Sequence, residues 1–159
     1  MRLKKFAWKI RKVMDKDLEA LVDAYRDAYR DLEDYAYTKT TDIRRYLKWL
    51  MNRDRDGFFV AEVNGKLIGF IACDTNWISF FEIRRVCEIH EIVVQSKWQR
   101  RGVGQILLSK ALEYAKNRER CLVELWVGIR NYKAIKFYEK MDFIKKNSWG
   151  KWLRMTKKI

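Results

Sequence analysis

The stretch "VVQSKWQRRGVGQILLSKAL", residues 93–112, passes from a β-branched run through a polar and basic patch into Gly102-Val103-Gly104 and then a helical pattern. Val103, Leu107, Ala111 and Ala115, with Ile106 and Leu108 beside them, recur at the spacing that docks one helix face on a sheet. The first four N–H groups of such a helix have no partner within it, and its aligned peptide dipoles leave partial positive charge there. Gly102 and Gly104 keep Cβ atoms out of the way of an approaching anion, and Arg100 and Arg101 offer charge-assisted hydrogen bonds to phosphate oxygens. The stretch therefore predicts a strand, a loop and a helix start that together bind the diphosphate of a nucleotide cofactor. The Walker string is absent, and the dinucleotide fingerprint lacks its third glycine because Leu107 stands at that position.

Outward from this stretch the pattern is that of one α/β (α+β) domain spanning residues 1–159. Residues 3–13 read as a first strand. Asp15 is expected to cap a helix whose apolar residues Leu18, Leu21, Val22, Tyr25, Ala28, Tyr29 and Leu32 keep helical spacing. A second helix begins near Thr41 or Asp42. "FFVAEVNGKLIGFIACD" (58–74) is a hairpin about Asn64-Gly65, and "VCEIHEIVV" (86–94) is the next strand, with residues 75–85 undecided between them. After the helix from Gly102 to about Lys116, "CLVELWV" (121–127) is a strand that is apolar apart from Glu124, residues 131–141 are a short helix, and residues 143–158 form a hairpin turning near Ser148-Trp149-Gly150. The order is β-α-α-β-β-β-α-β-α-β-β, a mixed sheet. Proline is absent, and no repeat or low-complexity segment marks a domain boundary.

Composition narrows the function. No stretch approaches the about 20 apolar residues of a membrane span, so the expectation is a soluble, unprocessed, cytoplasmic protein. Cys73, Cys87 and Cys121 lie far apart inside apolar runs, with no zinc spacing, and are expected to be buried thiols; His90 is the single histidine, so no metal site is expected. The net charge of +14 is uneven: residues 92–159 hold 17 Lys/Arg against 5 Asp/Glu, whereas residues 1–62 hold 15 against 12. The positive field thus belongs to the half that begins with the opening stretch.

"QRRGVG", Gln99–Gly104, resembles the Q/R-x-x-G-x-G/A motif of the GNAT superfamily of N-acetyltransferases. Downstream, "NYKAIKFYEKMDF", Asn131–Phe143, resembles the same family's N-x-x-A-x-x-x-Y-E-K-x-G-F motif. The element order matches the family fold, a mixed, mostly antiparallel twisted sheet of about seven strands. There are two departures: Asp142 stands where the family usually has glycine, and Gln95-Ser96 replaces a frequent proline. The resemblance implies acetyl-CoA as cosubstrate, held by Ile92, Val93, Val94, Gln99, Arg100, Arg101, Gly102, Val103, Gly104, Gln105, Asn131, Ala134, Phe137 and Tyr138. It also implies an oxyanion held by a backbone N–H near Val93, where the family strand bulges and splays from its neighbour.

Amide formation from a protonated amine requires a base, a stabilised oxyanion and a proton for the departing thiolate. By strict alternation along residues 86–94, Glu88, His90, Ile92 and Val94 share one face of the strand and Cys87, Ile89, Glu91 and Val93 the other. Glu88 is the first choice for general base, with His90 near it and Glu91 the alternative. Asn131, Ala134 and Tyr138 share a helical face, and by resemblance Tyr138 is the proton donor. No cysteine lies in either motif, so direct attack in a ternary complex is expected.

The acceptor, a small amine or a protein or peptide amine, stays open. The acidic residues Asp15, Asp17, Glu19, Asp23, Asp27, Asp31, Glu33 and Asp34 either attract a cationic amine or form a solvated helix face. Tyr35, Tyr37, Trp49, Trp77, Phe80 and Phe81 either line the acceptor pocket or serve as core and dimer contacts, and a homodimer is compatible with this reading. The alternative class is a basic nucleic-acid- or ribosome-associated binding module without catalysis; no recognised nucleic-acid motif accompanies the charge, which ranks it second.

Overall fold

The computed structural model describes residues 8–159. Its elements run β1 (Trp8–Lys12), α1 (Leu18–Ala28), α2 (Thr40–Arg53), β2 (Phe58–Val63), β3 (Lys66–Ser79), β4 (Arg84–Val94), α3 (Val103–Asn117), β5 (Leu122–Gly128), α4 (Tyr132–Lys140), β6 (Ile144–Trp149) and β7 (Trp152–Lys158). This is the expected order. Of the first strand, residues 3–7 lie outside the described residues. The undecided residues 75–85 complete the β3–β4 hairpin, which turns between Ser79 and Arg84.

Seven strands, among the described residues, form one sheet in the order β1-β2-β3-β4-β5-β7-β6. Only β4 and β5 are parallel, joined by α3 as the crossover helix. Helices cover both faces. On one, Leu21, Val22 and Tyr25 of α1 and Ile43, Leu47 and Leu50 of α2 pack on Phe58, Val60 and Phe70. On the other, Val103, Leu107, Leu108 and Ala111 of α3 and Ile135 and Tyr138 of α4 pack on Ile71, Ile89, Val123 and Leu125. Asn64 (φ 50°) and Gly65 (φ 78°) make the expected tight turn.

Several local expectations are corrected. Asp15 does not cap α1: its carboxylate pairs with Arg55, while Asp17 accepts from the Met14 N–H at 2.7 Å and binds Arg11 through both oxygens. A short 3-10 turn over Asp15–Asp17 therefore precedes the helix. The helix ends at Ala28, which takes Tyr29 and Leu32 out of its stripe. Cys121 is exposed, since it precedes β5, whereas Cys73 and Cys87 are buried.

Both departures from the family pattern have a physical account. Asp142 adopts the left-handed conformation (φ 67°) that glycine would adopt with less strain. Gln95 and Ser96 use N–H groups that proline lacks: Gln95 donates to the Ile68 carbonyl at 2.9 Å, and Ser96 donates through N–H and Oγ to Asp27 of α1.

Candidate active site

The site grows out of a split in the sheet. β4 and β5 pair only through Cys87–Val123, Glu88–Glu124 and Ile89–Leu125, after which β4 continues to Val94 and β5 to Gly128 without pairing. The gap is one wall of a cleft of about 2080 Å³ lined by residues 88–94 of β4 and 125–128 of β5. Pockets that take one drug-sized ligand measure roughly 300–1,000 Å³, so the cleft has room for two substrates at once. The splay expected from the family resemblance is thus present.

β4 also carries an extra residue. Cys73 faces Ile89 and Ala72 faces Glu91, which leaves His90 bulged out of register. The bulge reverses the alternation expected beyond it. Cys87 and Ile89 point to the α3 side, where Ile92 and Val94 join them. Val93 packs on the α1–α2 side, the side to which Ala72 and its partner Glu91 point. Glu88, opposite Cys87, shares that side. The expected separation of Glu88 and Glu91 onto opposite faces, and the grouping of Glu88 with Ile92 and Val94, are therefore incorrect: both carboxyls face one half of the cleft. The bulge itself falls at His90, three residues before Val93.

Glu91 is buried and lines the cleft. Tyr29, just past the end of α1, and Tyr46 of α2 (3.0 Å) both donate to its carboxylate. Burial pushes its pKa up to about 7, against the opposing pull of the two hydroxyls, which favour the ionised form. Glu88 is set differently. Burial, then the neighbouring Glu124 carboxyl across the strand pair, hold its pKa well above the ordinary carboxylate range. Glu124 lies below that range despite its burial, because Glu88, Arg154 (2.5 Å) and Ser79 (2.8 Å) all donate to it. One proton is thus held on Glu88, facing an ionised Glu124. His90 Nε2 lies 3.0 Å from Asp74 Oδ2, between the edges of Trp49 and Trp77. Asp74 also accepts from Arg53 at 2.7 Å.

The helix start is open. Gly102 (φ 89°) precedes α3 in the left-handed conformation, and no side chain caps the helix or places an acid in its first turn. A Cβ built on Gly102 would meet nothing within 4 Å. Gln99 Nε2 donates to the Val94 carbonyl at 3.0 Å and ties the loop to the end of β4. Gln99, Arg100, Gly102, Gly104 and Gln105 line the cleft, and Arg130, Lys133, Lys136 and Lys140 bring further positive charge to its wall. Val103 is buried in the core and Arg101 lies over Trp98 at 5.1 Å, so neither side chain lines the cleft. An open helix end beside cations and a gap between strands fits a long, polyanionic thioester such as acetyl-CoA.

Across the gap, Asn131 caps α4 by accepting from the Ala134 N–H at 3.4 Å, and Ala134, Phe137 and Tyr138 line the wall. Tyr138 is buried between Phe137 and Phe143, and burial, with the charge of Glu91 second, keeps its hydroxyl protonated beyond the usual phenol range.

The acceptor half is only partly as expected. Tyr35, Tyr37, Trp77, Phe80 and Phe81 line the cleft, as do Asp27, Asp31, Glu33 and Asp34; Trp49 does not. Asp15, Asp17 and Glu19 are instead engaged by Arg55, Arg11 and Arg44. Tyr29, Tyr46 and Glu124 are site residues that sequence reasoning missed; only Glu124 left a signal, as the lone acid in an apolar strand.

The Acetyltransferase (GNAT) family matches residues 18–143, and the chain belongs to it. Membership defines the class, an acetyltransferase. Among relatives, the chain is 53% identical over 150 residues to an uncharacterized N-acetyltransferase of Methanocaldococcus jannaschii, covering 94% of this chain and 66% of that protein's length. The solved structure of PH1933 from Pyrococcus horikoshii OT3 superposes with a TM-score of 0.88 at 41% identity, covering 96% of this chain and 98% of the other. A PaiA N-acetyltransferase from Thermoplasma acidophilum, solved in complex with coenzyme A, shares the fold at a TM-score of 0.81 and 22% identity, covering 96% and 99%. No helix among the described residues is long and apolar enough to cross a membrane.

Proposed function

We propose that this protein transfers the acetyl group of acetyl-CoA to a primary amine by direct attack in a ternary complex, with Glu91 as general base and Tyr138 as general acid. The observation that carries the reading is Glu91 itself, a buried carboxylate with a pKa of about 7, held by two tyrosine hydroxyls in the cleft where β4 and β5 part. A base poised near the working pH removes a proton from an ammonium group most effectively. Glu88 gives way to Glu91 in this role because it already carries the proton of its pair with Glu124.

Acetyl-CoA supplies the activated acyl carbon, and the amine nitrogen displaces its sulfur. The α3 N–H groups and Arg100 would hold the diphosphate. Backbone N–H groups of β4 near the bulge are the candidates to face the carbonyl oxygen as it gains charge. Tyr138, protonated and lining the cleft, would return a proton to the departing thiolate. His90, fixed by Asp74 and two tryptophans, is given a positioning role beside the bulge.

The test is release of free thiol from acetyl-CoA across amines and peptide N-termini, with kcat/KM followed against pH. An acidic limb near pH 7 that disappears in Glu91→Gln supports the assignment; an unchanged limb in that variant removes Glu91 from the mechanism.

A further inference from the structure

The β3–β4 turn is folded onto β5 and β7, and a set of polar contacts fixes it there. Ser79 donates to Glu124 at 2.8 Å and accepts from the N–H groups of Phe81 and Glu82. Arg154 of β7 lies over the Phe81 ring at 4.9 Å and binds Glu82 at 2.9 Å. So anchored, the turn presents aromatic rings. Phe80 is 78% exposed and meets Trp149 at the end of β6, itself 65% exposed, edge-on at 6.4 Å. Phe81 lies 5.5 Å from Phe80 and 5.7 Å from Trp126 of β5. Trp77 packs at 4.9 Å against His90, the chain neighbour of Glu91, so the rings begin beside the base. All five rings line the cleft. Tyr35 extends this wall: its ring lies 5.5 Å from Trp152 and occupies the space over Gly128, where a Cβ would come within 2.5 Å of it, and its hydroxyl accepts the Arg130 N–H at 3.1 Å.

Apolar surface gains by being covered in proportion to its area, and a contiguous run of exposed rings marks a surface that something covers. Because these rings are held before anything binds, little ordering cost opposes that gain. The cations among them are already engaged: Arg154 is shared by Glu82 and Glu124, and Lys151, above Tyr35 and Trp152, donates to the Asp34 carbonyl. In the acetyl-transfer reading, on which this inference rests, the α3 start and the α4 wall take the cofactor, so the occupant of the ring-lined half is the acceptor. We propose that Phe80, Phe81, Trp126 and Trp149 bind an apolar group of the acceptor, so that the enzyme selects amines carrying an aromatic or large aliphatic side chain next to the reacting nitrogen.

The experiment measures kcat/KM by thiol release for the amides of glycine, serine, leucine and phenylalanine, which share one reacting α-amine and differ in the side chain beside it. The wild-type protein is expected to favour the phenylalanine and leucine amides over those of glycine and serine by about 10-fold or more. The double variant Phe80→Ser, Trp149→Ser removes the two most exposed of these rings from turns and is expected to lower the phenylalanine-to-glycine ratio about 10-fold, with calorimetric binding of acetyl-CoA reporting that it is folded. A wild-type ratio near one overturns the inference, while turnover of glycine amide leaves the transfer reading standing. A ratio that the folded double variant leaves untouched overturns it as well. So does a wild-type dimer that the double variant dissolves with the ratio intact, which would give the rings to a second copy of this chain. Where the double variant does not fold, the order of the four amides in the wild-type protein decides the matter. Absence of thiol release from every amine overturns both readings.

Discussion

Two glutamates three residues apart on β4 face the same half of the cleft and do opposite things with a proton. Glu91 lies beyond the last β4–β5 pair, held by Tyr29 and Tyr46, neither of which carries charge, and its pKa settles near 7. Glu88 lies within the paired segment, beside a carboxylate already claimed by Arg154, and remains protonated. Residue type and strand are the same; the neighbour decides. A hydroxyl stabilises the charged form without competing for the proton, whereas a second carboxylate competes for it directly.

The widest break in this comparison is the exchange of each glutamate for glutamine. Glu91→Gln is expected to lower kcat/KM about 1,000-fold, within the range for loss of a general base. Glu88→Gln, close in shape and charge to a protonated carboxyl, is expected to cost far less. Equal losses measured in the same thiol-release assay would show that both carboxyls move the proton.

The same contrast appears in stability. A carboxyl whose native pKa of about 7 lies above its ordinary value of 4.5 binds its proton more tightly in the folded state. Its contribution is favourable below about pH 4.5 and is lost as pH rises to about 7. Glu91→Gln should therefore gain about 1–3 kcal/mol relative to wild type between pH 5 and pH 8. Thermal melts of the two proteins at those pH values check the sign; a gain at pH 5 that vanishes at pH 8 would reverse it.

How legible this was depended on whether a feature is local. Gly102-Val103-Gly104 and the α3 stripe were readable because a helix start and its docking face are written in consecutive residues. The sharing of a face by Glu88 and Glu91 was not, because the bulge at His90 is a property of the register between β3 and β4. Tyr29 keeps the apolar spacing of α1 in the sequence, yet the helix ends at Ala28 and frees its ring to reach across to Glu91. Glu124 was visible as an isolated acid, but its partners come from β4, β7 and the end of β3. Burial signals are local; partnerships of buried charges are not.

Across the gap, Tyr138 sharpens the contrast from the other wall. Tyr138→Phe removes a hydroxyl and leaves the packing against Phe137 and Phe143. It is expected to lower kcat about 10-fold or more with little change in KM, the signature of an interaction made in the transition state. A changed KM with unchanged kcat would make Tyr138 a wall of the cleft and not a donor.

The smallest effect tests the cause of the Glu91 value. Tyr46 donates to Glu91 at 3.0 Å, and that bond favours the ionised carboxylate against the burial that raises its pKa. In Tyr46→Phe the opposing pull weakens while burial stays, so the acidic limb of kcat/KM should move to higher pH by about half a unit to one unit. Rates on the plateau above the limb should change little, since Tyr29 still holds the carboxylate. A limb moving to lower pH would mean that water entering the space left by the lost hydroxyl solvates Glu91 better than that hydroxyl did, and burial would then not be what sets the base.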